Sequence, residues 1–393
     1  MRLNSNKASV VPFWRDERVL SFLGQAAFVA LVLATGWLLY RNMNAGLAQQ
    51  GTTMSWSFLN DVSGFDISET PIPYTRSSSY WEAFKVGLFN TLIVSVVGVA
   101  LASALGVALG VARLSANFIV RNLAGLYIEI IRNVALLVFL VFWYLGVFLK
   151  LPRVKEAMFW PGGVILSNRG VGVPWGVPTE SFPLYQNVLM GGVIFAALIY
   201  IGLKIYANRS GRAPLAFLWS LAAFVGAALL GWALLPQKPL ALDFPYVKGL
   251  NLAGGKILSP EFMALTSGLV LYTAAFIAEI VRAGILSVNK GQVEAARALG
   301  LNGFQTLRFV VFPQALRVIV PPLTSQYLNL IKNSSLAVAV GYPDLFYVSS
   351  TILNQSGRAV EMISLVLATY LFFSLVTSLF MNWYNRKIKL VER

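Results

Sequence analysis

The chain has 393 residues, 57% of them hydrophobic and 12% charged, whereas a soluble domain is about a quarter charged, so a soluble globular protein is excluded. Cysteine and histidine are both absent, which removes a disulfide framework, thiolate and imidazole metal ligands, and a histidine general base. The net charge of +15 is carried between long apolar runs instead of in one patch or arm, which sets nucleic acid aside and points to membrane orientation.

A crossing of roughly 30 Å of hydrocarbon takes about 20 apolar residues. The first such run is Ser21–Tyr40. Arg15, Asp16, Glu17 and Arg18 precede it and no small-residue cleavage pattern follows Thr35, so it reads as a retained span and not a signal peptide. A polar, Ser/Thr-rich connection, Arg41–Lys85, leads to the second run, Val86–Val111. Ala102, Gly106 and Gly110 form a small-residue stripe there that favours close helix packing, within the chain or at a subunit interface. The third run, Ala124–Leu149, carries Glu129 and Arg132 at a spacing that allows pairing on one helix face. Lys150–Gln186 contains Pro, Gly and Trp and reads as a structured external connection. Asn187–Leu203, the shortest run, and Leu215–Leu235 follow, and then Phe262–Val281, near whose end Glu279 and Arg282 repeat the three-residue spacing. Lipid offers backbone groups no partners, so each run is expected to be helical, and the lack of short alternating segments argues against a barrel.

The connection Arg282–Arg317 is patterned as helices. In Asn289–Gly300, Val293, Ala296 and Leu299 share one face, Glu294 and Arg297 another, and Gly300 can end the helix. A second helical stretch, Phe304–Phe312, is expected to stop before Pro313. Such a pair suits docking of a soluble partner, or rest on lipid headgroups. The seventh run, Val318–Val340, places Lys332 about 21 Å along its axis, beside Asn329, Asn333, Ser334 and Ser335. A polar cluster facing lipid is costly, so it is expected inside the bundle, binding a substrate carboxylate or pairing with carbonyls freed near Pro321 and Pro322. The Glu129 and Glu279 pairs are structural or line a gate. Met362–Trp383 is the eighth run.

Lys and Arg concentrate in cytoplasmic connections. Placing the N-terminus inside puts 18 Lys and Arg on the inner side, among them Arg2, Lys7, Arg15, Arg18, Arg113, Arg121, Lys204, Arg209, Arg212, the Arg282–Arg317 basic residues and the C-terminal Arg386, Lys387, Lys389 and Arg393, against 11 spread over the longer outer connections, from Arg41 to Arg358. Asp61, Asp66, Glu69, Glu156, Asp243 and Asp344 then fall outside. An even number of spans with both termini cytoplasmic follows.

The run 291–316, GQVEAARALGLNGFQTLRFVVFPQAL, resembles the EAA signature of ABC importer permeases: Glu294-Ala295-Ala296, then Gly300, then an apolar stretch ending at Pro313. YIEIIRNVALLVFLVFWYLG, AFIAEIVRAGILSVNKGQ and YLNLIKNSSLAVAVGYPDL extend the similarity to the polar and general L-amino-acid branch, most like the first membrane subunit of the general L-amino-acid transporter. Val310 and Phe312 replace the strict Ile and Leu, and Ala135 stands where the family has Pro. The resemblance implies an all-α polytopic permease of about eight helices: a type I core of five within 83–386, one N-terminal span in 1–82, and a two-span insertion at about 150–259. It implies that 282–317 is a cytoplasmic coupling loop, in which Glu294, Ala295, Ala296, Gly300 and Pro313 engage a homodimeric ATPase, with a short tail at 387–393. A second permease subunit, a paralogue, and a periplasmic amino-acid-binding protein complete the importer. No cofactor is expected in this chain, and ATP hydrolysis belongs to the separate subunit; the nearest Walker-like string, Gly254-Gly255-Lys256-Ile257, lacks the earlier Gly and the Ser/Thr. The substrate pathway is assigned to Lys332, Asn333, Ser334, Ser335, Glu279 and Glu129, in the bacterial inner membrane. An ion-coupled secondary transporter would show related halves and midplane acids, which the sequence lacks, and the missing His and Cys weaken a membrane-embedded enzyme.

Reporter fusions check the topology: those at Thr52, Val171 and Leu250 are expected to read external, and those at Arg209 and Gly291 internal. An internal Val171 breaks the eight-span arrangement.

Overall fold

The computed structural model describes residues 17–49, 53–210 and 215–388. Arg2, Lys7, Arg15, Thr52, Arg212 and the tail residues Lys389 and Arg393 lie outside them.

In chain order the helices are α1 (Glu17–Gln49), α2 (Tyr80–Ala112), α3 (Phe118–Arg132), α4 (Leu136–Val141), α5 (Phe182–Ser210), α6 (Ala216–Leu234), α7 (Pro260–Leu286), α8 (Lys290–Ala298), α9 (Gly303–Thr306), α10 (Phe312–Asn333), α11 (Leu345–Ser356) and α12 (Ala359–Ile388). Among the described residues 7 helices are long and apolar enough to cross a membrane, or 8 when the bent pair formed by α3 and the α4 segment counts as one. The chain is thus a helical, polytopic membrane protein.

Its core is α2, α7, α10 and α12, with α3, α4 and α11 packed on them. Ala102, Ile277, Val281, Ala315 and Ile319 are buried together where α2, α7 and α10 meet. A Cβ on Gly110 would lie 2.7 Å from the Ala278 carbonyl and 2.8 Å from Val281 Cβ, and one on Gly106 would meet Ile277. The stripe therefore packs within the chain, against α7. By contrast α1 buries none of its apolar window, and α5 and α6 pack chiefly on each other.

The connection marked by Pro, Gly and Trp is a β module, which the all-helical expectation did not include. Strands β1 (Met158–Trp160), β2 (Val164–Ser167), β3 (Gly170–Val173) and β4 (Trp175–Pro178) precede the α5–α6 hairpin; β5 (Leu240–Asp243), β6 (Tyr246–Lys248), β7 (Asn251–Ala253) and β8 (Lys256–Leu258) follow it. The order β1-β2-β3-β8 is antiparallel throughout, and β4 pairs with β5. The pairing Val171↔Leu258 joins chain on either side of the hairpin, so both ends of α5–α6 lie on one face of the membrane.

Several element expectations are corrected. The third run is not one helix: α3 and the α4 segment meet at 108°. Asn133 ends α3, its side chain donating to the Glu129 carbonyl at 2.7 Å, and Ala135 is extended, so Arg132-Asn133 interrupts a run that hydropathy averages over. The run read as shortest is a 29-residue helix, α5. The stretch after α9 does not stop before Pro313: a π turn, Leu307–Val311, feeds directly into α10. Pro313 sits in the first turn of α10, where proline is tolerated. The seventh run loses α-helical geometry at Asn333 and continues as a 3-10 turn, Ser334–Ala339. α11 was not expected at all.

α11 is anchored by polar groups at the end of the bundle that carries the β module. Asn90 Nδ2 donates to the Glu69 and Pro343 carbonyls at 3.0 and 2.9 Å, and Leu345 N donates to Thr91 Oγ1 at 2.9 Å. Asp344, fully buried, caps α11 by accepting from Tyr347 N at 2.8 Å. Burial pushes its carboxyl up from 3.8 to about 7.

Gly110→Leu is expected to lower stability by about 1–3 kcal/mol through overpacking, read as a reduced melting temperature in detergent. Because Asp344 binds its proton more tightly when folded, its contribution is full below the ordinary carboxylate range and is lost as pH rises through about 7. Asp344→Asn, which keeps a capping oxygen, flattens that dependence, whereas Asp344→Ala costs about 1 kcal/mol of cap at any pH.

Candidate coupling loop and translocation face

α8 begins at Asn289, whose side chain accepts from Gly291 N at 2.8 Å. It ends in a Schellman closure: Leu301 N donates to the Ala296 carbonyl at 3.2 Å and Gly300 N to the Arg297 carbonyl at 2.9 Å, with Gly300 at φ +79°. Only a residue without Cβ takes this conformation at little cost. Asn302 and Gln305 then form a reciprocal capping box for α9.

Only part of the expected apolar face is buried. Ala296 is enclosed, Val293 is half-buried, and Leu299 is 81% exposed, because α8 ends at Ala298 and Leu299, at the C-cap, leaves the helical phase. Glu294 and Ala295 are exposed, as are Phe304 (70%) and Phe309 (63%). Two short helices therefore present a carboxylate, small residues and large apolar side chains beyond the bundle. α8 packs on the π turn that continues into α10, and Gln314 Nε2 donates to Gln292 Oε1 at 3.3 Å.

The charged pairs lie nearby, and one differs from expectation. Glu279 and Arg282 pair as expected, with Nε to carboxylate distances of 3.1 and 3.0 Å. Glu129 does not pair with Arg132. Its partner is Arg113, just past α2, at 3.3 Å, while Arg132 lies over the Phe276 ring on α7. The break after Arg132 frees it to turn towards α7, and Gly125, having no side chain, leaves room for the Arg113 guanidinium on α3.

Lys332 is exposed on the surface of the chain and not enclosed by its bundle. Ser334 donates to the Ile331 carbonyl at 2.7 Å and Ser335 to the Lys332 carbonyl at 2.8 Å, so both hydroxyls secure the end of α10. Pro321 and Pro322 leave the carbonyls four residues earlier without their helical donors, roughly 20 Å of axis from Lys332, beyond its reach. Lys332 instead extends an exposed polar strip with Ser325 and Asn329. The i, i+4, i+7 recurrence of these residues was the available signal. Glu129 and Glu279 stand at the α8 end of the bundle, away from it.

Residues 98–390 match the family described as "Binding-protein-dependent transport system inner membrane component". The chain is 41% identical over 385 residues to the general L-amino acid transport system permease protein AapQ of Rhizobium johnstonii, covering 96% of this chain and 94% of that one. It is 44% identical over 372 residues to the putative amino-acid ABC transporter permease protein YhdX of Escherichia coli, covering 93% of each. It is also 37% identical over 412 residues to the glutamate/glutamine/aspartate/asparagine transport system permease protein BztB of Rhodobacter capsulatus, covering 96% of each. Similarity of this extent includes the β module and its helical hairpin, and with the fold it shows that the chain belongs to the family of binding-protein-dependent inner-membrane transport components, the permease subunits of ABC importers.

Proposed function

We propose that the chain is a permease subunit of an ATP-driven importer of amino acids with varied side chains, both of its termini cytoplasmic. The observation that carries the coupling role is the protruding α8–Gly300–α9 loop, exposed on its outer side and continuous with α10 on the other. A separate ATPase, as a homodimer, takes up Glu294, Ala295, Leu299 and Phe304, while Ala296, Gly300 and Pro313 shape the loop that presents them. The polar strip Ser325, Asn329 and Lys332 at membrane depth is unfavourable against lipid. A second permease subunit, a paralogue, covers it and forms the solute pathway. Lys332 then meets the α-carboxylate common to amino acids, with Asn333 beside it; one cation suits one carboxylate, whereas a dianion or phosphate favours several cations or an Arg fork. The core 83–386 builds the pathway, and the insertion 150–259 meets a periplasmic binding protein that sets much of the selectivity. The names of the relatives support the substrate class.

Uptake is measured in cells carrying this subunit, its permease partner, ATPase and binding protein. Glu294→Lys and Gly300→Pro are expected to remain in the membrane and abolish uptake, since proline cannot adopt the φ of +79° at Gly300. Lys332→Ala is expected to weaken amino-acid uptake. Accumulation of only sugars, phosphate or metal ions overturns the substrate class, and unchanged kinetics of Lys332→Ala overturns the site.

A further inference from the structure

Beneath the coupling loop, Arg113, Arg121 and Arg282 line one open cavity of about 650 Å³ where the ends of α2, α3 and α7 meet. Its polar wall is only partly neutralised. Arg282 is held by Glu279, and Arg113 by Glu129, which is 69% exposed and free to swing into water. Among the described residues no carboxylate pairs with Arg121, which donates to the Ser115 carbonyl at 3.4 Å and lies over Phe118. Arg132, over the Phe276 ring and near Glu279, likewise makes no ion pair among the described residues. The arginines thus outnumber the glutamates. Apolar side chains share the lining: Leu114, Leu123 and Leu126 border the same cavity, and Phe118, Leu123 and Leu126 are exposed along α3.

A solvent-filled anion site has no need of an apolar rim, and a lipid-facing groove has no need of three guanidinium groups. The geometry points to a binding site for the phosphate headgroup of an anionic phospholipid, with its acyl chains along the apolar flank of α3. Guanidinium forks match phosphate oxygens bidentately, and basic pockets between helices at the cytoplasmic surface hold acidic headgroups. Glu129 is the competing anion: the lipid phosphate displaces it from Arg113. Gly125 is required because its missing side chain is what lets the Arg113 guanidinium reach α3. The site is separate from the polar strip of α10 and does not depend on the solute carried.

The full-length protein, purified in detergent, is exchanged into nanodiscs of phosphatidylcholine with or without phosphatidylglycerol, released, and examined by native mass spectrometry for retained lipid. Phosphatidylglycerol is expected to be retained over phosphatidylcholine, and Arg113→Gln and Arg121→Gln each to weaken retention several-fold, the double variant by roughly tenfold or more. Glu129→Gln, which removes the competitor, is expected to strengthen it. Arg121 is exposed and holds no carboxylate among the described residues, so equal retention by a folded Arg121→Gln variant overturns the site. Millimolar inorganic phosphate is the second arm: no displacement of lipid supports the headgroup, whereas complete displacement identifies a soluble-anion site and overturns it.

Discussion

In hydrocarbon two helices gain nothing by hiding apolar surface from lipid that is equally apolar, so their association rests on close contact. The approach of α2 to α7 is where this chain meets that constraint. Gly106 and Gly110 let Ile277, the Ala278 carbonyl and Val281 come within distances that any side chain on α2 would forbid. The same economy recurs on the other side of α7, where Gly284 receives Ile319 of α10. Three helices are thereby packed side by side, and the candidate functional groups hang from them. α2 carries Arg113 at one end and the Asn90 and Thr91 anchors towards the other; α7 carries the Glu279–Arg282 pair; α10 carries the polar strip.

The loop beyond this block is short and held at both ends. α7 runs into α8 through only a few residues, and α8 returns through the Gly300 closure, α9 and the π turn into α10. Every connection is capped by its own backbone or side chains. On the proposed reading such a loop passes displacement to the two core helices instead of absorbing it. A flexible Gly/Ser linker in the same place would dissipate it.

The sequence made some of this legible because the governing physics is local. Apolar runs located the spans, charge asymmetry suggested their direction, and the Gly300 stop and the Gly106–Gly110 stripe were visible as residue types at helical spacing. What escaped depends on tertiary partners or on a single residue. Hydropathy averages across Arg132-Asn133 and so reads through a break that one side-chain cap creates. Pro313 looks like a terminator until the π turn ahead of it supplies a helix start. Spacing makes Arg132 the natural partner of Glu129, yet Arg113 arrives from another helix over a glycine. Lys332 was assigned to the bundle interior by the cost of exposing it to lipid. That cost stands, yet among the described residues nothing encloses Lys332, and on the proposed reading a second subunit supplies the burial.

The same structure also ties the outer module to the inner loop. β8 ends at Leu258, and the next residue, Ser259, is the N-cap of α7, its hydroxyl accepting from Phe262 N at 3.0 Å and donating to Glu69 of the loop before α2. The strand that closes the four-stranded sheet is therefore continuous with the helix whose far end opens into α8. On the proposed reading, a binding protein on the β module and an ATPase on α8 act on opposite ends of one rigid helix, 27 residues long. That helix is the best-buried candidate span among the described residues. On that reading a tilt imposed at one end reaches the other through the close packing of α7 on α2 and α10. Neither α1 nor the α5–α6 hairpin has such continuity with the core. On this reading the α5–α6 hairpin, which joins two strands of the β module, tethers that module at the membrane, while the route between the two faces runs through α7.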